Sequence, residues 1–431
     1  MKRNVVICLS LLAMMFFSLN ISALAAPEKE ITLDDGIRLT LENNRDVKIA
    51  LKDRENTYWR LQELKSNRYP VLDLTHTDTR VKPDPSDPVY RLIGTPPETN
   101  HFDNKFTVSL PLYTGGQLGA SIKQLEIYLK MADLNVNKAK QQAKLNVAAA
   151  YYNVLQAQSM VKLCEEAVAG LNAHLKNVKA FLDVGMVTKN NVLRTEVAVA
   201  NAEENLIKAK NGYDLALANL NNTLGLPLDA AIAVKADLPY VKFGDSLEKC
   251  SEGAFKNRPE ISLANLNCEI AQKGIDVAKS GYLPTVSLVG IAGWNDTEFP
   301  GAKNDNWSLN LVSSWKLNSG GQTKAQINQA VAAREKALEV AAQAKEGIAL
   351  EVRQTFLSLK EAEKRMQTGQ LTVNKANEDV QIVQVRYQAG IATNLDVIDA
   401  QLALTQAKTN YLNSLYDYNI GMAKLKKAIG M

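Results

Sequence analysis

The stretch YQAGIATNLDVIDAQ (387–401) interrupts a long run of alanine-rich helical sequence at Gly390 and resumes the helical pattern at once. The stretch FLDVGMVTKNNVLRTE (181–196) does the same at Gly185. Glycine readily adopts the left-handed conformation that often ends a helix, so each stretch is predicted to be a tight turn between two helices. The two glycines lie 205 positions apart (390 − 185), which indicates that the chain contains an internal repeat.

The repeat extends along most of the chain. PLYTGGQ (111–117) matches KLNSGGQ (316–322) at the same shift of 205 (316 − 111), whereas SNRYPVLDL (66–74) matches SGYLPTVSL (280–288) at a shift of 214 (280 − 66). The first copy therefore contains nine extra residues (214 − 205) between these two blocks. They fall in the proline-rich segment VKPDPSDPVYRLIGTPPETN (81–100), which is predicted to be an exposed loop.

The N-terminus has the pattern of a secretory signal, so it is not predicted to be part of the mature protein. Residues 1–25 are predicted to be a cleaved signal peptide, because Lys2 and Arg3 precede an apolar run that ends in Ala23-Leu24-Ala25. A retained membrane anchor is the alternative, although the polar residues that follow are not typical of one. The remaining chain is predicted to consist of a first repeat (26–226), a linker (227–245) and a second repeat (246–431).

The composition argues against several classes of function. The formal net charge is +4, and removal of Lys2 and Arg3 leaves about +2 (4 − 2), too little to indicate a nucleic-acid partner. No nucleotide-binding, metalloprotease or serine-hydrolase motif occurs, so we expect neither catalysis nor a cofactor nor a bound metal. The cysteines of the mature chain lack the spacing of a zinc site or a disulfide framework, and they are Cys164, Cys250 and Cys268.

Helical sequence dominates both copies. Each copy is predicted to contain a helix of about 35 residues, two strands, a long helix and, after the glycine, a helix of about 37 residues. The long helices cover 117–184 and 322–389, about 68 residues each, and would extend about 100 Å at 1.5 Å per residue. The two shorter helices of a copy together match that length, so we expect them to stack end to end beside the long helix.

A heptad seam runs along the second long helix. Its members are Val331, Leu338, Lys345, Val352, Leu359, Met366, Val373, Val380 and Tyr387. Mostly small residues, such as Ala341, Ala362 and Gly369, follow three positions later. A sustained heptad imposes a left-handed supercoil, and small residues let helices approach closely. The pattern predicts a helical rod, with an ordinary amphipathic helix of a globular bundle as the alternative.

Four short runs have the alternating character of strands. They lie at 71–81, 106–113, 285–294 and 307–317. Each is about ten residues long, the length at which a tilted strand crosses a bilayer. Their tryptophans lie near the predicted strand ends, as interfacial aromatic residues do, and are Trp294, Trp307 and Trp315. A small soluble sheet is the alternative. Since four strands cannot close a barrel, a membrane role requires several chains.

The order and spacing of several motifs resemble the TolC-type outer membrane efflux protein family. These motifs are ITLDDGIRLTLENNRDVKIA (31–50), the Tyr-Pro strand entries at Tyr69-Pro70 and Tyr282-Leu283-Pro284, the two GGQ sequences, LGLPLDA (224–230) and RYQAGIATNLDVIDAQ (386–401). The resemblance spans nearly the whole mature chain. It implies a mainly α fold of two long helical hairpins with four transmembrane strands per chain. Three chains would build a twelve-stranded barrel (3 × 4) in the outer membrane and a helical tunnel in the periplasm.

The resemblance also implies a function and partners. It predicts a passive exit duct of a tripartite efflux or type I secretion system, whose energy comes from an inner-membrane pump. A periplasmic adaptor protein would dock at the hairpin tips, on Val184, Gly185, Met186, Val187, Gly390 and Ile391. A non-conducting coiled-coil stalk is the alternative, whereas a soluble adaptor fits poorly because adaptors have one hairpin.

A gate is expected beside the tips. Asp396 and Asp399 share one helix face, and the resemblance places them at the constricted entrance, where three chains would form a cation-selective ring of six carboxylates (3 × 2). For Asp396 a capping box with Thr393 is the alternative. Tyr387 matches the gate tyrosine of the family, but it also lies on the heptad seam and fits core packing equally well.

The sequence departs from the usual closure pattern of the family at two positions. Ala392 occupies the position of the common arginine, and Asn191 that of its acidic partner. We hypothesise that Arg194 replaces the missing arginine by binding Asp399 or Asp396 across the hairpins.

Overall fold

The computed structural model of the protein describes residues 29–235 and 240–431, so the predicted signal peptide (1–25) lies outside the described residues. The helices in these ranges are α1 (Leu33–Asn43), α2 (Arg45–Ser66), α3 (Pro88–Ile93), α4 (Gln117–Asp183), α5 (Lys189–Leu224), α6 (Leu247–Asn257), α7 (Pro259–Lys279), α8 (Gln322–Gln388) and α9 (Asn394–Ala428). The strands are β1 (Lys29–Ile31), β2 (Val71–Val81), β3 (Thr99–Thr114), β4 (Ile232–Val234), β5 (Thr285–Asp296) and β6 (Asp305–Ser314). No helix in the described part of the chain is both long enough and apolar enough to cross a membrane.

The long helices follow the prediction closely, and the first helix of each copy does not. Both α4 and α8 have 67 residues. The prediction of a single helix of about 35 residues at the start of each copy is wrong, because the chain forms α1 and α2 in the first copy and α6 and α7 in the second. Arg258 separates the second pair in an extended conformation (φ −72°, ψ 127°), since the ring of Pro259 disfavours a helical residue before it. Asn44 separates the first pair with similar angles (φ −59°, ψ 130°).

The four predicted strands form one antiparallel sheet in the order β2-β3-β5-β6. One row across the sheet consists of Leu72, Val108, Gly290 and Leu309. The neighbouring row points to the opposite face and consists of Asp73, Thr107, Ile291 and Ser308. The predicted alternation is thus present in the sheet, and its apolar face is exposed, with Leu72 and Leu309 at 64% and 65%. Within the described chain β2 and β6 each pair on one side only, so both are edge strands.

The described chain divides into two compact units, and each draws segments from both sequence repeats. The hairpin unit comprises Gln142–Gly244, Thr355–Lys426 and the described residues up to Arg45. The sheet unit comprises Asp46–Gln141, Asp245–Gln354 and the last five residues. The hairpin unit contains both tip glycines, and the sheet unit contains the four-stranded sheet.

The hairpin unit has an apolar core where the parallel pair of β1 and β4 lies against α4 and α5. This core includes Ile31, Val147, Tyr151, Val154, Leu155, Leu220, Leu224, Ile232 and Tyr416. The Tyr151 hydroxyl donates a hydrogen bond to the carbonyl of Lys235 (2.7 Å), so this buried polar group is satisfied.

The heptad seam is mostly buried along the later part of α8. Val352, in the sheet unit, and Leu359, in the hairpin unit, are fully enclosed, and an added Cβ at Gly369 would lie 3.3 Å from the Cα of Tyr411 on α9. Earlier along α8, Leu338 is 46% exposed, and the ammonium of the seam residue Lys345 lies 5.2 Å from the Phe255 ring centroid.

Candidate functional site

Both hairpins reverse through the same kind of turn. Gly185 and Gly390 adopt left-handed φ angles of 76° and 73°. The N–H groups of Gly185 and Met186 donate to the carbonyls of Leu182 (2.9 Å) and Phe181 (2.8 Å), which is the paired hydrogen-bond pattern of a Schellman motif. An added Cβ at either glycine would touch nothing within 4 Å. Backbone conformation, and not space, is therefore what requires glycine at both tips.

The tips present apolar side chains to the surroundings. Val184, Met186 and Ile391 are 69%, 62% and 68% exposed. Val187, predicted to be part of the same docking surface, instead packs against a small core around Val178, Val192, Tyr387 and Val397. Sequence reasoning missed two further exposed apolar residues beside the tips, Leu193 and Leu395. The signal for them was an apolar residue within the first two turns after each glycine.

The two helices restart differently after the tips. At the start of α9 the Thr393 N–H donates to the Asp396 carboxylate (2.7 Å), and the Asp396 N–H donates to the Thr393 hydroxyl (3.2 Å). This reciprocal pair is a capping box. The hydrogen bond from the Thr393 backbone lowers the pKa of Asp396 below its ordinary value, with a smaller contribution from Arg386. At the start of α5 Thr188 makes no side-chain capping bond.

The structure leaves Asp399 and Arg194 apart within one protomer. Both side chains are exposed, and across residues 29–235 and 240–431 no salt bridge joins Arg194 to Asp396 or Asp399. Arg194 lines a groove of about 1300 Å³ between the helices of the hairpin unit. A bridge from Arg194 to either aspartate stays a prediction.

Tyr387 lies in the core of the hairpin unit. It is 5% exposed, and its ring stacks edge-on against His174 and tilted against Phe181, with centroid distances of 5.1 and 5.5 Å. Its hydroxyl has no hydrogen-bond partner among the described residues, and burial raises its pKa.

A buried polar cluster beside Tyr387 was not predicted from the sequence. His174 Nε2 lies 2.7 Å from the Asn394 side-chain oxygen, which the Thr195 hydroxyl also approaches at 3.1 Å. The Asn394 amide donates to the Asn191 carbonyl (3.2 Å). Burial lowers the pKa of His174, and the hydrogen bond to Asn394 offsets this only partly. The available signal was a polar residue at seam spacing on α4, since His174 follows Leu171 by three positions and precedes Val178 by four.

The tryptophans lie near both ends of the sheet. Trp294 pairs with Asp305 and Trp307 with Ala292, so both are close to the turn between β5 and β6. Trp315 follows the last residue of β6 at the other end, and its ring N–H donates to the Tyr282 carbonyl (3.0 Å). A membrane-interface role for these residues stays a prediction.

Comparison with known proteins identifies the family. The family model described as outer membrane efflux protein matches residues 36–226 and 251–431. The outer membrane protein TolC of Escherichia coli (strain K12) is 26% identical over 316 residues, which cover 69% of this chain and 63% of TolC. The chain therefore aligns with somewhat less than two thirds of the length of TolC.

One further relative and one solved structure align along more of the chain. The solvent efflux pump outer membrane protein SrpC of Pseudomonas putida is 24% identical over 410 residues, which cover 90% of this chain and 83% of SrpC. A solved structure of CusC superimposes with a TM-score of 0.80 at 18% identity, covering 94% of this chain and 93% of CusC, and so shares the fold. With two matches of the family model that together take in both repeats, the chain belongs to the outer membrane efflux protein family.

Proposed function

We propose that the protein is a passive exit duct through the outer membrane, built from three copies of the chain. The observation that carries this proposal is the four-stranded sheet, whose apolar face is exposed and whose two edge strands lack partners within the described chain. An open edge leaves backbone N–H and C=O groups unsatisfied, which is not tolerated in hydrocarbon. Three sheets joined edge to edge would supply twelve strands (3 × 4) and satisfy every edge.

The family supports an outer membrane location and a transport role. Relatives are named as outer membrane proteins, and SrpC by its name belongs to a solvent efflux pump. Residues 26–226 and 246–431 would be two efflux-protein repeats joined by the linker 227–245, in keeping with the two separate matches of the family model. Because the chain offers no energy-coupling motif, transport through it would be driven by an inner-membrane pump, either proton-driven or ATP-driven.

The hairpin tips would receive a periplasmic adaptor. Exposed apolar residues at both turns, Val184, Met186 and Ile391, provide a surface for burial against a protein partner. The hydrogen bonds of the Schellman turns fix the backbone that carries these side chains, which would lower the backbone ordering cost of docking. Efflux and secretion ducts share this requirement, so the tips do not distinguish between the two systems.

A carboxylate gate would control the entrance. Asp399 is exposed one turn beyond the capping box, where capping does not account for it. Asp396 would contribute its remaining negative charge to the same ring while it caps α9. The low pKa of Asp396 favours the charged form, as a cation-selective ring requires.

The experiment compares two adjacent strand residues that face opposite sides of the sheet. Leu309→Lys places a charge on the apolar face, where a position at the bilayer centre costs about 2–4 kcal/mol, and should abolish trimers in outer-membrane fractions and conductance in planar bilayers. Asn310→Lys places the same charge on the polar face and should leave both intact. Equal behaviour of the two variants, or a wild-type chain that stays monomeric and soluble without detergent, would refute the proposal and favour a periplasmic stalk.

A further inference from the structure

Hydrogen bonds connect the first hairpin to the second inside one protomer, and most of them run between α4 and α9. His174 contacts Asn394 (2.7 Å), the Gln156 amide donates to Asn413 (2.9 Å), and the Gln401 amide donates to the Gly170 carbonyl (3.4 Å). All three contacts are between uncharged groups. Together they fix which residues of α4 and α9 face each other.

The internal repeat relates this contact to a second one. The shift of 205 residues that relates Gly185 to Gly390 converts α4 into α8 and α5 into α9. In a closed ring of three chains, which rests on the proposed function, first and second hairpins alternate. A head-to-tail ring then repeats the α4–α9 contact of one protomer as a contact of α8 with α5 of the next protomer.

The equivalent positions carry opposite charges. His174 and Asn394 correspond to Asp379 (174 + 205) and Lys189 (394 − 205). Gly170 and Gln401 correspond to Lys375 (170 + 205) and Glu196 (401 − 205), and Gln156 and Asn413 correspond to Glu361 (156 + 205) and Lys208 (413 − 205). Two other contacts between α4 and α9 do not follow this pattern. The Glu166–Lys408 salt bridge (2.8 Å) corresponds to Leu371 and Glu203, and the hydrogen bond between Ser159 and Tyr416 (2.7 Å) corresponds to Lys364 (159 + 205) and Asn211 (416 − 205).

The order of the signs makes the match specific. Along α8 the charges run negative, positive, negative, and along α5 the facing charges run positive, negative, positive. If α8 moved along α5 so that Asp379 faced Glu196, or Lys375 faced Lys189, two like charges would meet. Their repulsion disfavours such a wrong register.

The pair next to the tips is unsatisfied within one protomer. Asp379 and Lys189 are exposed, and no salt bridge of the described chain includes either. Lys375 and Glu361 already pair on their own helix, with Glu378 (2.9 Å) and Arg365, while Glu196 pairs with Lys179 (2.8 Å). Asp379 and Lys189 are therefore the residues that could each form a new salt bridge with a neighbouring copy without breaking one in their own chain.

We propose that α8 of one protomer binds α5 of the next protomer through an electrostatic seam in which Asp379 contacts Lys189, Lys375 contacts Glu196 and Glu361 contacts Lys208. The seam joins identical chains around the duct, whereas the equivalent contacts of His174, Gln156 and Gln401 inside a chain join uncharged groups. The Asp379–Lys189 pair lies 11 residues before Gly390 (390 − 379) and 4 residues after Gly185 (189 − 185), so it closes the ring at the tips.

Cysteine cross-linking distinguishes contacts between chains from contacts within a chain. In a chain whose native cysteines are replaced, Asp379→Cys with Lys189→Cys should give covalent dimers and trimers on denaturing gels after mild oxidation. The matched control is Gln156→Cys with Asn413→Cys, whose side chains meet inside one protomer and should give only cross-linked monomer. Each single cysteine variant should give no covalent trimer on the same gels.

Charge reversal provides the second readout. Lys189→Asp should weaken each of the three interfaces of the trimer by about two- to fivefold, the range for an exposed ion pair, and Lys189→Asp with Asp379→Lys should restore the trimer. A wild-type trimer that forms no covalent oligomer through positions 189 and 379 would overturn the seam and leave the duct proposal standing. A wild-type chain that forms no trimer at all would overturn both.

Discussion

His174 and Asn394 join the two hairpins of a protomer through a hydrogen bond of 2.7 Å between Nε2 and the amide oxygen. The Asn191 carbonyl can only accept, so the Asn394 nitrogen faces it and the Asn394 oxygen faces the imidazole. The proton of a neutral His174 therefore lies on Nε2. The side chains that contact the ring are those of Tyr387 and Asn394, and neither is charged.

Acid should loosen this connection. Burial lowers the pKa of His174 below its ordinary 6.5, and separation of the hairpins would hydrate the ring and return the pKa to that value. Protonation of His174 therefore favours separated hairpins. The contribution of His174 to the free energy that holds the hairpins together is complete above about pH 6.5 and is lost as the pH falls toward the lowered pKa. At pH 5 the backbone amides of residues 189–195 and 394–398 should be less protected from hydrogen exchange than at pH 8, after correction for the intrinsic exchange rate.

His174→Gln is the control, because its amide can donate to Asn394 without titrating in this range. The variant should exchange equally at pH 5 and pH 8 after correction for the intrinsic rate. A pH response as large as that of the wild type would assign the titration to another group.

Loss of the Thr393 side chain should affect only the second hairpin. Thr393→Ala removes the hydroxyl that accepts the Asp396 N–H, and should cost about 1 kcal/mol in the local stability of α9, as loss of a cap typically does. Thr188→Ala at the equivalent position should cost much less, since Thr188 makes no side-chain capping bond. Native-state hydrogen exchange of the first turns of α5 and α9 measures both, and comparable losses would contradict the asymmetry.

Two glycines of α8 should respond to alanine with opposite signs. Gly347→Ala meets nothing within 4 Å and should stabilise the protein by about 0.5–1 kcal/mol through the helix propensity of alanine. Gly369→Ala brings a Cβ to 3.3 Å from the Tyr411 backbone and should destabilise, because α9 must move away. Denaturant unfolding compares the two variants, and a stabilised Gly369→Ala would show that α8 and α9 are not closely packed there.

Neutralising Asp399 should alter ion selectivity. If the ring lines the entrance, Asp399→Asn removes three of six carboxylates and should lower the cation-to-anion permeability ratio by roughly two- to tenfold in planar bilayers. Asp417→Asn lies 18 residues further along α9 (417 − 399), where Asp417 pairs with Arg365 (3.0 Å), and should leave the ratio unchanged. An unchanged ratio in Asp399→Asn would remove Asp399 from the entrance.

Hydrophobic periodicity predicted the helices and strands because it follows from the backbone geometry of each element alone. The 67-residue helices agree with the predicted spans to within a residue, and family membership confirms the fold class, the outer membrane location and the absence of an enzymatic role. The strand boundaries were less accurate. β3 begins at Thr99 rather than at 106, since ladder hydrogen bonds do not require the apolar alternation that defines the run, and β6 ends at Ser314 rather than at 317.

The polar cluster could not be predicted, because it depends on how four helices are rotated against one another. His174 and Asn394 are 220 residues apart in sequence, and although Asn394 lies in the motif at 386–401, nothing in that motif marks its side chain as buried. Asn394 looks like an ordinary first residue of a helix after Thr393. Only the packing of α4, α5, α8 and α9 shows that its side chain is 5% exposed and bonded on both sides.

The pairing of β3 with β5 has a consequence for biosynthesis. Leu110 lies opposite Leu288, 178 positions later in the chain (288 − 110), so the sheet cannot form until the ribosome has completed β5. Pairings between such distant residues form slowly. The β2–β3 hairpin therefore exposes the unpaired edge of β3 until β5 is available, and that edge can meanwhile pair with other chains.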